Sequence, residues 1–279
     1  MNAPSKAQFV MPVFNELRFT RQCLDSLAQD GIPRQDIVIV DNASTDGTRE
    51  FLAETHGYRV ISSEVNRGCS VAWNQGVETV LASGAEWVVV INNDVIVAKG
   101  FMEGLREFAD GSGTDIVHPA TGEGELDYDL PVFAAEFVGK MRGLSRPDDG
   151  GGDCFMVRRA VFERVGLFDT TFGLAGYEDV DFFRRARKAG FRRATAGTAY
   201  LHHFGSVTQK SVKATLGLTK RTRLASQAAY RKKHSLNWFR RRWERHLETV
   251  RVTTCVRDES RDTGFTLRMR RSDGRWNLG

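Results

Sequence analysis

Four clusters of acidic and polar residues, each placed at or near the end of a short apolar run, constrain this chain more than any other feature. The clusters are VDNASTDGT after Ile37–Val40, INNDV after Trp87–Val90, GYEDVDF from Gly176 to Phe182, and LHHFGS from Leu201 to Ser206. Charged groups so close to the edge of a hydrophobic core need partners. These residue types fit a nucleotide, a divalent cation and a hydroxyl group to be deprotonated, so the pattern predicts a ligand site where buried strands end.

Apolar runs of strand length alternate with helical patterns through the first ninety residues. The predicted strands are Phe9–Val13, Ile37–Val40, Tyr58–Ser62 and Trp87–Ile91, and the helices between them include Arg18–Gln29 and Ser70–Ala82. Strands separated by helices pair in parallel through right-handed crossovers. The pattern therefore predicts an α/β fold whose first half is doubly wound and binds a nucleotide. The sequence lacks the glycine signature of dinucleotide-binding proteins, which weakens a dehydrogenase interpretation, and the P-loop signature is missing too.

The remaining two thirds of the chain give weaker local signals. Residues 111–152 are rich in Gly, Asp and Pro and lose periodicity, which predicts a long functional loop or insertion. Two further strands and two further helices are predicted after it, at Cys154–Val157, Ala199–His203, Arg159–Val165 and Glu178–Ala189. Residues 211–250 are expected to be largely helical. Residues 251–279 alternate weakly, which predicts a terminal hairpin with Asp262–Gly264 in its turn.

The bulk properties are those of an ordinary globular protein with an excess of basic residues. The chain has 279 residues, of which 41% are hydrophobic and 27% charged, and its net charge is +5. The four cysteines form no C-x-x-C pair, and neither a signal peptide nor a membrane-length apolar run is evident, so we expect a cytoplasmic protein. The basic tract Lys220–Arg245, interleaved with aromatic residues, is either a solvated helical face or a peripheral contact with anionic lipid. No recognised motif supports nucleic-acid binding.

Two polar segments of the first half are candidate nucleotide contacts. Asp41 directly follows a predicted parallel strand, where its oxygens can accept from a base N–H in the ligand crevice, although it can instead satisfy backbone donors of the turn. Asp46 is expected to cap the next helix. Asn66, Arg67 and Gly68 form a polar break at which Gly68 permits close backbone approach and Arg67 can meet a phosphate; a solvated turn is the alternative.

The next two clusters point to a divalent cation. Asp94 is the only anion of the Asn92–Asn93–Asp94 triplet, and one carboxylate together with diphosphate oxygens suits Mg²⁺ or Mn²⁺. The two asparagines could bond ribose hydroxyls, or they could simply form a turn. His203, or its neighbour His202, follows a short apolar strand, and a neutral imidazole could complete the metal shell. A histidine satisfied within the structure is the alternative.

Three acids lie at the start of a predicted helix. Acids at a helix N-terminus complement the helix dipole, which is the simplest explanation for Glu178, Asp179 and Asp181. Three acids in four positions exceed what capping requires, however. We therefore expect one of them to act as a general base.

The motifs, taken in chain order, resemble those of family 2 glycosyltransferases with the GT-A fold. The matching segments are PVFN, VDNASTDGT, NRG with WNQG, NND, GGDCFMVRR, GLFD, GYEDVDFFRRARKAGF and HHFGSVT, and they run from about Phe9 to His234. Each motif alone is weak, but eight in the right order are specific. The chain looks closest to rhamnosyltransferase-like bacterial members that build surface polysaccharides, and AAYRKKHSLNWFRRRW resembles the family's C-terminal helical segment.

The resemblance implies roles for particular residues. The implied nucleotide-binding residues are Pro12, Val13, Asn15, Asp41, Asn66, Arg67, Gly68, Asn92 and Asn93. Gly151, Gly152 and Asp153 are implied at the junction of donor sugar and acceptor. Asp179, beside Glu178, is the implied catalytic base, and Asp94 and His203 are the implied ligands of Mn²⁺ or Mg²⁺. Because asparagines stand at the first two positions of the family's D-x-D motif, cation binding without nucleotide should be weak.

The resulting expectation is an inverting hexosyl- or deoxyhexosyltransferase. It would move a sugar from a UDP- or dTDP-sugar donor to a hydroxyl of a saccharide, lipid-linked or other acceptor. A non-catalytic nucleotide-sugar-binding protein and a nucleotidyltransferase are the alternatives. The expected organisation is a GT-A domain at 1–210, with a nucleotide half at 1–100 and a catalytic half at 101–210, followed by a basic helical segment at 211–250 and a tail at 251–279.

Overall fold

Four parallel strands, in the spatial order β3–β2–β1–β4, form the N-terminal half of the sheet. The computed structural model describes residues 7–173, 176–205, 207, 212, 215, 217, 220–235 and 238–278. The elements of this half are β1 (Ala7–Val13), α1 (Leu17–Gln29), β2 (Ile37–Asp41), α2 (Thr48–Glu54), β3 (Arg59–Ser62), α3 (Cys69–Ala82) and β4 (Trp87–Ile91). The predicted α/β class is confirmed, and the predicted strands of this half differ from the observed ones by at most two residues at either end.

Burial on both faces explains why these strands are continuously apolar. Every residue of β2 and every residue of β4 is buried. Successive side chains of a strand point to opposite faces, so Phe9 and Met11 pack into one core and Val10 into the other. Helices cover both faces, as a parallel sheet requires. The carboxyl ends of β1, β2 and β4 are therefore brought to one edge.

The second half extends the same sheet with mixed pairing. Its strands are β5 (Val95–Val97), β6 (Ile116–Gly124), β7 (Ser145–Pro147), β8 (Cys154–Arg158), β9 (Arg193–His203), β10 (Arg268–Ser272) and β11 (Arg275–Asn277). Strand β8 runs antiparallel to β4 and to the start of β6, and β10 pairs in parallel with the end of β6. The other edge of β6 pairs with β9, and β9 also pairs with β5 and β7. The helices are α4 (Phe101–Ser112), α5 (Leu130–Met141), α6 (Arg159–Val165), α7 (Glu178–Lys188), α8 (Lys220–Lys233) and α9 (Trp238–Thr263).

The predicted loop at 111–152 is wrong, because this segment contains β6, α5 and β7. Strand β6 reads IVHPATGEG, and its small and polar residues hide the strand signal. Pro119 lies where the pairing of β6 with β9 shifts register, a position at which a strand tolerates proline. Helix α5 is capped by Asp129, whose carboxylate accepts from the Val132 N–H at 3.0 Å.

The terminal hairpin exists, but its predicted turn is wrong. Residues 251–263 continue α9, and Gly264, with φ +78°, ends that helix by donating to the Ser260 carbonyl at 2.9 Å. The hairpin is β10–β11, and its turn is Asp273–Gly274, where both φ angles are positive (50° and 70°). Asp-Gly is favoured in such two-residue turns, and it is a stronger signal than the weak alternation used for the prediction.

The basic tract at 220–245 forms parts of α8 and α9, as predicted for a helical segment. Most of its side chains in α9 lie outside the described residues, so the predicted lipid contact stays a prediction. Among the helices of the described ranges, none has the length and apolar character that crossing a membrane requires.

Replacement of Gly76 tests the close packing of α3 on the sheet. A Cβ at this position would lie 2.3 Å from Cγ1 of Val10, a fully buried β-branched residue. We expect Gly76→Ala to lower the free energy of unfolding by about 1–3 kcal/mol through overpacking. Gly139→Ala is the matched control, since a Cβ there meets nothing within 4 Å, and it should stabilise α5 by about 0.5–1 kcal/mol. Urea denaturation measures both, and equal effects would contradict the packing.

Candidate functional site

A chain of hydrogen bonds joins the ends of β1, β2 and β4. The Asn15 N–H donates to Ser44 Oγ at 2.8 Å, and the Ser44 N–H donates to Asp41 Oδ1 at 2.9 Å. The Asn93 side-chain amide donates to the Asn15 carbonyl at 3.5 Å and to Thr20 Oγ1 at 2.9 Å. Three of the predicted residues, Asn15, Asp41 and Asn93, are thus linked at one edge of the sheet. Asn93 is 1% exposed, so its amide ties the triplet to α1.

Asp41 is completely buried and forms an ion pair with Arg49. Its Oδ2 accepts from Arg49 Nε at 2.8 Å, and its Oδ1 accepts from the Ser44 N–H. A base N–H would therefore share this carboxylate with Arg49. The N-cap position of α2 is occupied by Gly47 rather than by Asp46, but the Asp46 carboxylate accepts from the N–H of Thr48, the first helical residue, at 3.1 Å and from the Leu17 N–H at 3.0 Å.

Asn42, which directly follows Asp41, positions the predicted segment Asn66–Gly68. Its amide nitrogen donates to Asn66 Oδ1 at 2.8 Å, and its oxygen accepts from the Arg67 N–H at 3.0 Å. Gly68 is buried with φ +92°, a conformation that favours glycine, whereas the Arg67 side chain is exposed.

Pro12 and Val13 are strand residues, paired with Val40 and Asp41. Pro12 is half-buried, but the Val13 side chain is in the core and its carbonyl accepts from the Asn42 N–H at 2.8 Å. Val13 can therefore contribute to a ligand site little more than the shape of its backbone.

Asp94 directly precedes β5, and His203 is the last residue of the neighbouring strand β9. Val95 of β5 pairs with His203 of β9, and His203 Nε2 lies 3.4 Å from Asp94 Oδ1. Both atoms are buried and, among the described residues, neither has a well-aligned hydrogen-bond partner. Asp94 Oδ2 accepts from the Val207 N–H at 3.0 Å. The pair therefore has unsatisfied ligand atoms facing each other across a short gap.

This pair fits a divalent cation. Donors at adjacent corners of an octahedral Mg²⁺ or Mn²⁺ shell are about 3 Å apart, close to the observed 3.4 Å. In the described ranges no group of three His, Cys, Asp or Glu side chains is arranged to hold a metal. Two protein ligands leave most of an octahedral shell to other oxygens, such as those of a diphosphate.

Asp153 lies beside this pair. The Asn92 N–H donates to the Asp153 carbonyl at 2.9 Å, which joins the end of β4 to the start of β8. The Asp153 carboxylate accepts from Thr121 Oγ1 at 3.0 Å and from Arg268 at 3.2 Å. Burial acts to raise the pKa of Asp153, but the charges of Arg268 and His203 lower it to about 2. Asp153 is therefore a permanent carboxylate.

His203 is held in a strongly negative environment. Burial acts to lower the pKa of its imidazole, but the carboxylates of Asp94, Asp153 and Glu123 outweigh burial and keep the pKa above its ordinary value. Glu123 is the register partner of His203 across β6 and β9. An imidazole surrounded by carboxylates is attracted to positive charge, whether a proton or a cation.

The predicted glycines bring Asp153 and Asp179 together. A Cβ on Gly152 would lie 2.7 Å from Asp179 Oδ2, and a Cβ on Gly151 would lie 2.4 Å from Asp153 Oδ1. Only residues without side chains allow the chain to pass this close to both carboxylates. Arg268, which packs here from the C-terminal hairpin, was missed by sequence reasoning, since no local pattern relates it to a residue 115 positions away.

The three acids of α7 have different environments. Glu178 is buried, and burial followed by the nearby charge of Asp179 raises its pKa to about 7. Burial also raises the pKa of half-buried Asp179, and Asp153 adds to this effect. Asp181 is completely buried, and its carboxylate accepts from Arg185, Lys233 and His234. Asp181 therefore fastens α7 to α8 and cannot act as a base.

Cys69 shows that the two acidic groups share one region. Burial raises the pKa of its thiol well above the ordinary value, and the charges of Glu178, Asp179 and Asp94 raise it further. The start of α3 thus lies near both Asp94 and the N-terminus of α7. Asp94, Asp153, Asp179 and His203 are gathered in one region, and Asp41 is linked to it through Ser44, Asn15 and Asn93.

Helix α8 positions the N-terminus of α7 from outside the site. Gln227 Nε2 donates to Tyr177 Oη at 2.7 Å, and the Tyr177 and Tyr230 rings lie 5.3 Å apart. Tyr177 directly precedes Glu178 and has φ +84°, a strained conformation for a bulky residue. Helix α8 therefore stabilises the turn that precedes Glu178 and Asp179.

Comparison with known proteins places these features in context. An uncharacterised protein of Mycobacterium bovis is 28% identical over 207 residues, which are 71% of this chain and 74% of that protein. The low-salt glycan biosynthesis hexosyltransferase of Haloferax volcanii is 28% identical over 167 residues, 55% of this chain and 53% of its own length.

Solved structures share the fold. The mannosyltransferase of Pyrobaculum calidifontis in complex with GDP-mannose and Mn²⁺ matches with a TM-score of 0.55 at 20% identity. The match covers 72% of this chain and 57% of the mannosyltransferase, so the chain spans less than two thirds of that neighbour. GalNAc-T7 with UDP, GalNAc and Mn²⁺ matches with the same TM-score at 16% identity, over 73% of this chain and 44% of that one.

The family model for glycosyl transferase family 2 matches residues 8–166, more than half of the chain. These residues contain the strands and polar clusters of the first half, including Asp41 and Asp94, and they also include Asp153 of the second half. The mixed sheet flanked by helices agrees with the GT-A neighbours. The chain belongs to glycosyltransferase family 2.

Proposed function

We propose that this protein is an inverting glycosyltransferase that uses a nucleotide-diphosphate sugar, a UDP- or dTDP-sugar in the first instance, and a divalent cation. The observation that supports this most directly is the Asp94–His203 pair, whose facing ligand atoms lie 3.4 Å apart beside Asp153 and the N-terminus of α7. The nucleotide would occupy the edge formed by Asn15, Asp41 and Asn66–Gly68. The acceptor would be a hydroxyl of a saccharide or lipid-linked molecule, in synthesis of a surface polysaccharide or other glycoconjugate.

Asp94 and His203 would hold the cation together with the donor diphosphate. A cation bound there would act as a Lewis acid that stabilises negative charge on the leaving group. Because Asp94 is the triplet's only carboxylate, the Asp94–His203 pair offers the cation a single carboxylate ligand. Metal and nucleotide are therefore expected to bind together.

Asp179 is the proposed base. In an inverting reaction the acceptor oxygen forms a bond to the anomeric carbon while the bond from that carbon to the diphosphate oxygen breaks. The acceptor proton passes to Asp179, and the bonding electron pair leaves with the nucleoside diphosphate. A raised carboxylate pKa, caused by burial, improves a base that must accept a proton near neutral pH. The contact of Asp179 with Gly152 keeps it at the proposed junction of donor sugar and acceptor.

Removal of the Asp94 carboxylate tests the cation site. Asp94→Asn should raise the dissociation constant for UDP or dTDP at least about tenfold in the presence of Mn²⁺, because a ligand oxygen of the cation is lost. Without Mn²⁺, variant and wild type should bind these nucleotides similarly. Isothermal titration calorimetry measures both conditions, with Asp127→Asn at an exposed position as the control. Equal affinities in Mn²⁺ would contradict the assignment.

Asp179→Asn tests the base. We expect its turnover to fall by about 10²–10⁴-fold, the usual contribution of general-base catalysis, while its affinity for nucleoside diphosphate with Mn²⁺ stays within twofold of wild type. Release of nucleoside diphosphate from a panel of nucleotide-sugars measures turnover. Glu163→Gln, at an exposed position on α6, is the control. A variant that turns over at the wild-type rate would exclude Asp179 as base, and a wild type that binds donors but never turns them over would indicate a non-catalytic binder.

Glu178 makes stability depend on pH. Its pKa is about 7 in the folded protein against an ordinary value of 4.5, so the folded state holds this proton more tightly than the unfolded chain. The free energy of unfolding should therefore fall as pH rises from about 4.5 through 7, by about 2–3 kcal/mol. Glu178→Gln cannot ionise and should be more stable than wild type at pH 8 but not at pH 4. Thermal melts across this range check it; a constant difference would refute the assignment.

A further inference from the structure

A row of polar side chains crosses four strands beside the candidate site. His203 on β9 pairs with Glu123 on β6, Glu123 pairs with Arg270 on β10, and Arg270 pairs with Asn277 on β11. Residues in register on neighbouring strands share a face of the sheet, and the strands are about 4.8 Å apart. The row therefore runs from the proposed cation site to the edge of the sheet.

A groove follows this row. It has a volume of about 340 Å³, and its lining residues are Thr121, Glu123, Arg268, Met269, Arg270 and Asn277. At its inner end Arg268 and Thr121 both bond to the Asp153 carboxylate. Asp153 lies next to Gly151, and Gly152 lies against Asp179. Two residues that line the groove therefore bond to Asp153, which the two glycines place near the proposed base.

The hairpin that forms one wall of the groove is firmly anchored. The Thr121 N–H donates to the Leu267 carbonyl at 2.9 Å, and the Leu267 N–H donates to Glu259 Oε2 at 3.0 Å. Buried Arg146 pairs with the same Glu259 carboxylate at 2.6 Å. Leu267 and Met269 are buried in the core under α5. Arg268 and Arg270 alternate with these core residues, so they are held on the groove side of β10.

The charges of the groove are balanced. Arg268 pairs with Asp153 at 3.2 Å, and Arg270 pairs with Glu123 at 2.9 Å. An anionic ligand would have to compete with these carboxylates for the guanidinium groups. A ligand with many hydroxyls suits the pairs better, since each hydroxyl both donates to a carboxylate and accepts from an arginine N–H. Adjacent hydroxyls of a sugar ring can bridge such paired groups.

We propose that the groove between β6 and the C-terminal hairpin is the acceptor subsite, and that it binds a neutral saccharide. Glu123, Arg270 and Asn277 bond hydroxyls of the saccharide, and Arg268 with Asp153 orients the sugar that presents its reactive hydroxyl to Asp179. This assignment rests on the proposed function for its role in transfer, but binding of the saccharide can be measured without turnover.

Binding of simple sugars tests the subsite. The probes are methyl glycosides of glucose, galactose, mannose and rhamnose, measured by ligand-observed NMR on the full chain with UDP and Mg²⁺. At least one should bind to the wild type, and Arg270→Ala and Asn277→Ala should each weaken that binding at least about fivefold, since a hydrogen bond to the sugar is lost. Both residues are exposed, so neither change removes core packing.

Arg271→Ala is the matched control. It removes the same charge from the next residue of β10, whose side chain faces the other side and pairs with Asp127 at 2.7 Å. It should leave sugar binding within twofold of wild type. If Arg271→Ala weakened sugar binding as much as Arg270→Ala does, the loss would be explained by loosening of the hairpin, and the proposal would be overturned.

Two further outcomes would overturn the subsite. One is that no methyl glycoside binds to the wild type or that Arg270→Ala binds as wild type does. The other is that glycerol phosphate or methyl glucuronide binds better than every neutral glycoside, which would make the ligand an anion. Failure of the proposed function looks different: no nucleotide-sugar would be turned over, while Arg270-dependent sugar binding would persist.

Discussion

Buried carboxylates, most of them at one edge of the sheet, are the groups around which this structure is organised. Burying such a charge is costly unless partners compensate it. Asp41 has Arg49, Asp153 has Arg268, and Asp181 has Arg185, Lys233 and His234. Within the described part of the chain Asp94 is paired with a histidine and one backbone N–H, and the pKa of Glu178 is raised by burial. The compensated carboxylates hold the fold together, and the poorly compensated ones mark where a ligand or a proton is expected.

Local patterns predicted the first half of the fold well because its strands are buried on both faces. The runs at β2 and β4 could hardly be anything but core strands, and Asp41 and Asp94 follow them directly. Strand β6 was missed because its residues are small and polar, and its pairing with β8, β9 and β10 provides what its own sequence does not. Predictions from periodicity fail where long-range pairing decides the conformation.

The roles of the site residues could be predicted only in part for the same reason. Asn93 was expected to face a ligand, yet its amide donates to Thr20 inside the protein. Arg268 and Glu123 were not expected at the site at all. Their sequence neighbours give no sign of it, because β10 reaches Asp153 only through its pairing with β6. The Asp-Gly turn of the hairpin was the one available signal, and it locates the hairpin but not its partner strand.

The C-terminal segment contributes to the site in two independent ways. Helix α8 contacts Tyr177 through Gln227 and Asp181 through Lys233, and so fixes the start of α7 from outside the site. The hairpin beyond α9 adds two strands to the sheet and inserts Arg268 beside Asp153. Buried Glu259 of α9 fixes the hairpin to the sheet, since its carboxylate accepts from Arg146 of β7 and from the Leu267 N–H at the start of the hairpin. A change in the hairpin would therefore affect Asp153 directly, through Arg268, and Asp179 indirectly, through Asp153 and the glycines. If the groove is the acceptor subsite we propose, changes in the hairpin would alter selection of the acceptor while the proposed cation site and base stay the same.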